Sequence, residues 1–89
     1  MPCQHIHITG KVQGVSFRYY ILKEAQRLGI NGWVKNLEDG RMEAIAQGKE
    51  EDLQQLLRLF RKGPPYAEVE RVDMKEMPEQ KLEGFEIKY

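Results

Sequence analysis

Arg18 follows a run flanked by two glycines, Gly10 and Gly14, then a serine, Ser16. From Phe17 onward, apolar residues recur at helical spacing, so Arg18 falls in the first turn of a helix. The first N–H groups of a helix have no internal partners, and a tight loop ahead of it can turn further N–H groups the same way. Gly14 gives that loop backbone freedom and close approach. Arg18 adds a permanent charge whose planar fork matches phosphate or carboxylate oxygens in pairs. Together these residue types suit an anion cradle at a helix N-terminus. The spacing by itself also admits a common glycine turn with a solvated arginine. No GxxxxGK[ST] run is present, and Cys3 has no arginine at the spacing of a cysteine-phosphatase loop.

The elements that position this loop follow from periodicity. Residues 4–11 alternate, with Ile6 and Ile8 on one face and His5, His7 and Thr9 on the other, as in a half-buried strand. Phe17, Ile21, Ala25 and Leu28 mark the apolar stripe of a helix over 17–28, with Ser16 as its N-cap and Gly29 as its C-cap residue. Residues 30–37 read as a second strand, Glu38-Asp39-Gly40 as a tight turn, and 41–47 as a third strand. Gly48 opens a second helix with acidic residues in its first turn, a stripe of Leu53, Leu56, Leu57 and Phe60, and a stop at Gly63-Pro64-Pro65. A long alternating strand over 67–77, a loop, and a short strand from Phe85 to Tyr89 complete the chain. This order predicts an α+β, ferredoxin-like fold: a split βαβ, βαββαβ with a short C-terminal strand, forming an antiparallel sheet with two helices on one face.

Gly10-Lys11-Val12-Gln13-Gly14-Val15-Ser16-Phe17-Arg18 resembles the acylphosphatase signature, Gly-x-Val-Gln-Gly-Val-x-Phe-Arg. Gly32-Trp33-Val34-Lys35-Asn36 resembles that family's second motif, Gly-aromatic-Val-x-Asn, and the similarity runs over nearly the whole chain. The resemblance implies hydrolysis of the carboxyl–phosphate bond of small acyl phosphates, with no metal, no cofactor and no covalent enzyme intermediate. It matches Arg18 and Asn36 to the family's catalytic residues. It matches Gln13, Gly14, Val15, Ser16, Phe17 and Arg18 to the phosphate-binding loop, which acts mainly through backbone N–H groups.

Topology agrees with that assignment. In a ferredoxin-like sheet of order 4-1-3-2, the first and second strands run the same way and end on one edge, about 10 Å apart. Arg18 and Asn36 would then face one pocket. Asn36 can accept from a water and donate to an oxygen, but it cannot serve as a base at neutral pH. The substrate phosphate is the expected proton acceptor. Glu38 and Asp39, in the hairpin turn, are the alternatives and are expected to be solvated. The last strand should return to the same edge. Tyr89 would finish near Arg18, either pairing its terminal carboxylate with the guanidinium or ending a strand that only covers the sheet.

Bulk properties bound the rest. The 89 residues suit one domain, and 40% are hydrophobic, enough for a packed core. Lys+Arg and Asp+Glu are both 14, so the formal net charge is zero, which argues against general nucleic-acid binding. The third strand also lacks the aromatics of an RNA-binding sheet. A single cysteine and the lack of a long apolar run predict a cytoplasmic setting without a membrane partner, and a monomer is expected. His5 and His7 have a spacing that can bind a metal, but without a third ligand motif they read as part of a solvated sheet face. Trp33 is expected on that same open face.

Overall fold

Alternating apolar residues on the central strands and apolar stripes on both helices meet in one layer between sheet and helices. The computed structural model describes all residues, Met1–Tyr89. In chain order the elements are β1 (Cys3–Lys11), α1 (Phe17–Leu28), β2 (Asn31–Asn36), β3 (Met42–Gln47), α2 (Glu50–Lys62), β4 (Glu68–Met77) and β5 (Phe85–Lys88). The core holds Ile6 and Ile8 of β1, Val34 of β2, and Met42, Ala44 and Ala46 of β3. Opposite them lie Phe17, Ile21 and Ala25 of α1 and Leu53, Leu56, Leu57 and Phe60 of α2. Phe17 and Phe60 stack at 6.3 Å between centroids and tie the helices together. This is the ferredoxin-like α+β arrangement, with both helices covering one face of the sheet.

The sheet order is β4-β1-β3-β2-β5. Within β4-β1-β3-β2 each strand is antiparallel to its neighbours, as expected. The added strand differs from the antiparallel expectation: β5 pairs parallel with the outer edge of β2, so the whole sheet is mixed. Parallel pairing is possible because residues 78–84 cross back to the start of β2 before β5 begins. Gly32 N–H donates to the Gly84 carbonyl (2.9 Å), and Gly84 N–H donates to Asn31 Oδ1 (3.1 Å). The buried Gln47 exchanges two hydrogen bonds with the Gln80 backbone, at 2.8 and 3.0 Å, and anchors the same crossing.

The clean alternation expected of β4 is interrupted. The register passes from Thr9–Arg71 to Gly10–Val69, leaving Glu70 as the extra residue of a β-bulge. Val69 and Val72, three positions apart, can therefore both pack on the core. Gly10 is obligatory here, because a Cβ would run into the Glu68 carbonyl oxygen.

Opposite the helices, one row across the sheet reads Asp73, His7, Glu43, Lys35, Lys88. Burial alone would raise the Glu43 carboxyl. A hydrogen bond from His5 and the positive charges of His5, Lys35 and His7 outweigh it and hold the group below the usual carboxylate range. Trp33 lies on this face as expected, with the Lys88 and Lys35 ammonium groups 4.9 and 5.4 Å from its ring.

Candidate active site

Register alone brings two ends of the chain level. Met42 of β3 pairs with Ile8 of β1 on one side and with Asn36 of β2 on the other. Lys88 of β5 pairs with Lys35, which leaves Tyr89 beside Asn36. The loop from Val12 to Ser16 thus leaves the β1 end next to the last residue of β2. A cavity of about 410 Å³ opens between them, lined by Val12, Gly14, Ser16, Phe17, Arg18, Tyr19, Asn36, Ile87 and Tyr89.

The loop's backbone donors find no partner within the protein. None of the N–H groups from Gln13 to Tyr19 donates to a backbone carbonyl or a side chain, and the first bond of the helix is Tyr20 N–H to the Ser16 carbonyl, 3.0 Å. Gly14 (φ 73°) and Ser16 (φ 61°) are left-handed, with Val15 between them not so. Such alternation turns successive N–H groups toward one side. Ser16 takes the expected N-cap position, but its side chain makes no capping hydrogen bond. A left-handed non-glycine residue costs on the order of 1–2 kcal/mol and persists where surrounding structure holds it. Gly14 is needed for its dihedral rather than for room, since a Cβ there would meet nothing within 4 Å.

Arg18 is half-buried and forms no ion pair. Its guanidinium carbon lies 4.9 Å from the centroid of the Tyr89 ring. Tyr89 therefore reaches the expected edge, but it meets Arg18 through its ring; the terminal carboxylate makes no pair with the guanidinium. Tyr89 is 98% exposed, so the stacking is open to solvent. Asn36 Oδ1 is buried and has no hydrogen-bond partner in the protein, an expensive state for an acceptor.

The expected loop residues divide into three groups. Gly14, Ser16, Phe17 and Arg18 border the cavity. Val15 packs on the core from its edge. The Gln13 side chain turns the other way, its amide donating to the carbonyls of Leu37 (2.7 Å) and Arg41 (3.0 Å). Those carbonyls close the β2–β3 hairpin, so Gln13 straps the loop to the strand end that carries Asn36. Nothing in its spacing distinguishes this role from a ligand-facing one.

Glu38 and Asp39 are exposed in the hairpin and border no part of the cavity. Hydrogen bonds from the Arg41 backbone N–H (3.1 Å) and from its guanidinium (2.8 Å) hold the Asp39 carboxyl below its usual range. No acidic, histidine or cysteine side chain lines the cavity. Its lining can bind an anion and orient a small polar molecule.

Known proteins share this chain's architecture and sequence. The family profile described as Acylphosphatase matches residues 4–87. An acylphosphatase of Thiobacillus denitrificans is 48% identical over 97% of this chain and 96% of its own length. One from Pseudomonas paraeruginosa is 44% identical over 97% and 94%. The crystal structure of acylphosphatase from Bacillus subtilis superposes with a TM-score of 0.96 at 37% identity, covering 100% of both chains. With the profile spanning nearly the whole chain and full-length relatives well above 30% identity, the chain belongs to the acylphosphatase family, hydrolases of acyl phosphates.

Proposed function

We propose that the loop Gln13–Arg18 holds the phosphoryl group of a small acyl phosphate through its backbone N–H groups, with Arg18 closing on the same oxygens, while Asn36 holds the attacking water. The observation that carries this reading is the run of N–H groups from Gln13 to Tyr19 without a partner in the protein, on a loop whose Gly14, Ser16, Phe17 and unpaired Arg18 border a cavity also lined by Asn36, whose buried Oδ1 has no partner.

The chemistry asks little else of the protein. Phosphoryl transfer depends mainly on positioning and on stabilising charge over the equatorial oxygens. The water oxygen bonds to phosphorus, the bond from phosphorus to the acyl oxygen breaks, and the carboxylate departs with the electron pair. The water's proton passes to an oxygen of the phosphate, since no carboxylate or imidazole side chain lines the cavity to take it. Asn36 Oδ1 accepts from the water and fixes its line of approach. Donors preorganised around the phosphoryl oxygens stabilise the transition state without rearranging. Acetyl, carbamoyl and larger acyl phosphates share the group that this cradle grips.

Hydrolysis of acetyl phosphate in ¹⁸O-labelled water tests the reading. The label is expected in inorganic phosphate, with no phosphate retained on acid-quenched protein. Label in acetate would mean attack at the carbonyl carbon and would overturn it.

A further inference from the structure

On the open face of the sheet, three ligand-type atoms from two strands point at one spot. His5 and His7 project from β1 two residues apart, their ring centroids 4.6 Å from one another. Glu43 of β3, the cross-strand partner of His7, lies between them. Its Oε2 is 2.6 Å from His5 Nε2 and 3.7 Å from His7 Nε2. One nitrogen from each ring and one carboxylate oxygen all fall within 4.8 Å of one another. Ligands at the corners of a tetrahedral site with metal bonds of 2.0–2.1 Å stand about 3.4 Å apart, so small side-chain rotations close the set. All three residues are half-buried, which limits the rotamer freedom lost on binding.

We propose that His5, His7 and Glu43 form a binding site for a divalent transition-metal ion of the imidazole-preferring class, such as zinc, copper or nickel. Two imidazoles and one carboxylate select these ions over magnesium or calcium, which take oxygen ligands. Asp73 stands opposite His7 on β4 and shares a surface hollow with both histidines, so a second carboxylate or water completes the coordination. The proton on His5 Nε2 leaves to solvent as its lone pair turns to the ion. Lys35 Nζ, 3.6 Å from Glu43 Oε1, keeps hold of the other carboxylate oxygen and orients the ligand. The ion would clamp β1 to β3 on the face away from the helices.

The experiment uses the tag-free chain. Zinc binding is followed by calorimetry, and copper binding by quenching of Trp33, the only tryptophan, which sits two strands from His5, about 10 Å away. One ion per chain is expected, with a thermal midpoint that rises as zinc is added. His7→Gln and Glu43→Gln should each weaken binding roughly tenfold or more, while retained acetyl phosphate turnover certifies their fold. Either variant suffices if the other misfolds. Absence of saturable binding by the unaltered chain, or equal affinity in a folded variant, overturns the proposal.

Discussion

The two helices lie side by side on one face and begin in opposite ways. α2 brings Glu50, Glu51 and Asp52 into its own first turn, so its positive end meets its own carboxylates. α1 has no acidic residue there and follows a loop whose N–H groups find no acceptor from Gln13 to Tyr19. α2 starts from an extended Lys49, whereas α1 starts from a left-handed Ser16. One terminus carries its own carboxylates beside its dipole, although its first N–H groups form no hydrogen bond either; the other lacks that charge, and in the proposed reading a phosphoryl group supplies it. The two helix starts thus differ in their first-turn charges and in the backbone just before them, as the proposed division between a structural and a binding terminus requires.

The largest test of this contrast removes the charge that α1 adds to its start. Arg18→Ala is expected to lower kcat/KM for acetyl phosphate by about three orders of magnitude, with Lys rescuing little of it for want of the planar fork. Near-normal turnover by the alanine variant would place the anion elsewhere. Asn36→Ala separates water placement from phosphate binding. Here kcat should fall about a hundredfold, while inhibition by inorganic phosphate stays within a few-fold of normal. An equal loss in both would make Asn36 a phosphate ligand.

Gly14→Val probes the backbone of the α1 entry. Its left-handed φ should cost about 1–2 kcal/mol in folding free energy, read by denaturant melts. The loss in turnover should exceed what that instability explains, because a relaxed loop no longer converges its N–H groups. An active variant would mean that loop conformation does not matter to catalysis.

Deleting Tyr89 removes the ring over Arg18. Because Tyr89 is almost fully exposed, KM should rise only a few-fold and the melting temperature should hardly move. Unchanged kinetics would leave β5 a purely structural strand.

The mirror experiment is at the other helix. Glu50→Gln should cost about 0.3–1 kcal/mol of stability through the dipole and leave turnover untouched. A kinetic effect there would undo the division between the two termini.

Local pattern reached a long way into this molecule. The stripe of Phe17, Ile21 and Ala25 and that of Leu53, Leu56, Leu57 and Phe60 mark both helices, because a helix face repeats every 3.6 residues whatever packs on it. Gly29 ends α1 in a left-handed turn, with Ile30 N–H reaching back to the Ala25 carbonyl (2.9 Å). Two short motifs and the order of the strands were enough to put Arg18 and Asn36 at one edge.

Tertiary packing settled what depends on partners distant along the chain. No local signal says that β5 lies parallel beside β2, that Glu70 is the bulged residue of β4, or that Gln13 turns from the cavity to grip Leu37 and Arg41. Glu43 is the clearest case. His5 and His7 were legible as a pair, but their third partner lies 36 positions beyond His7 and is chosen by the β1–β3 register. A strand's own alternation tells which face a side chain takes. Only the register, set by how the buried faces of neighbouring strands interlock, tells whom it meets there.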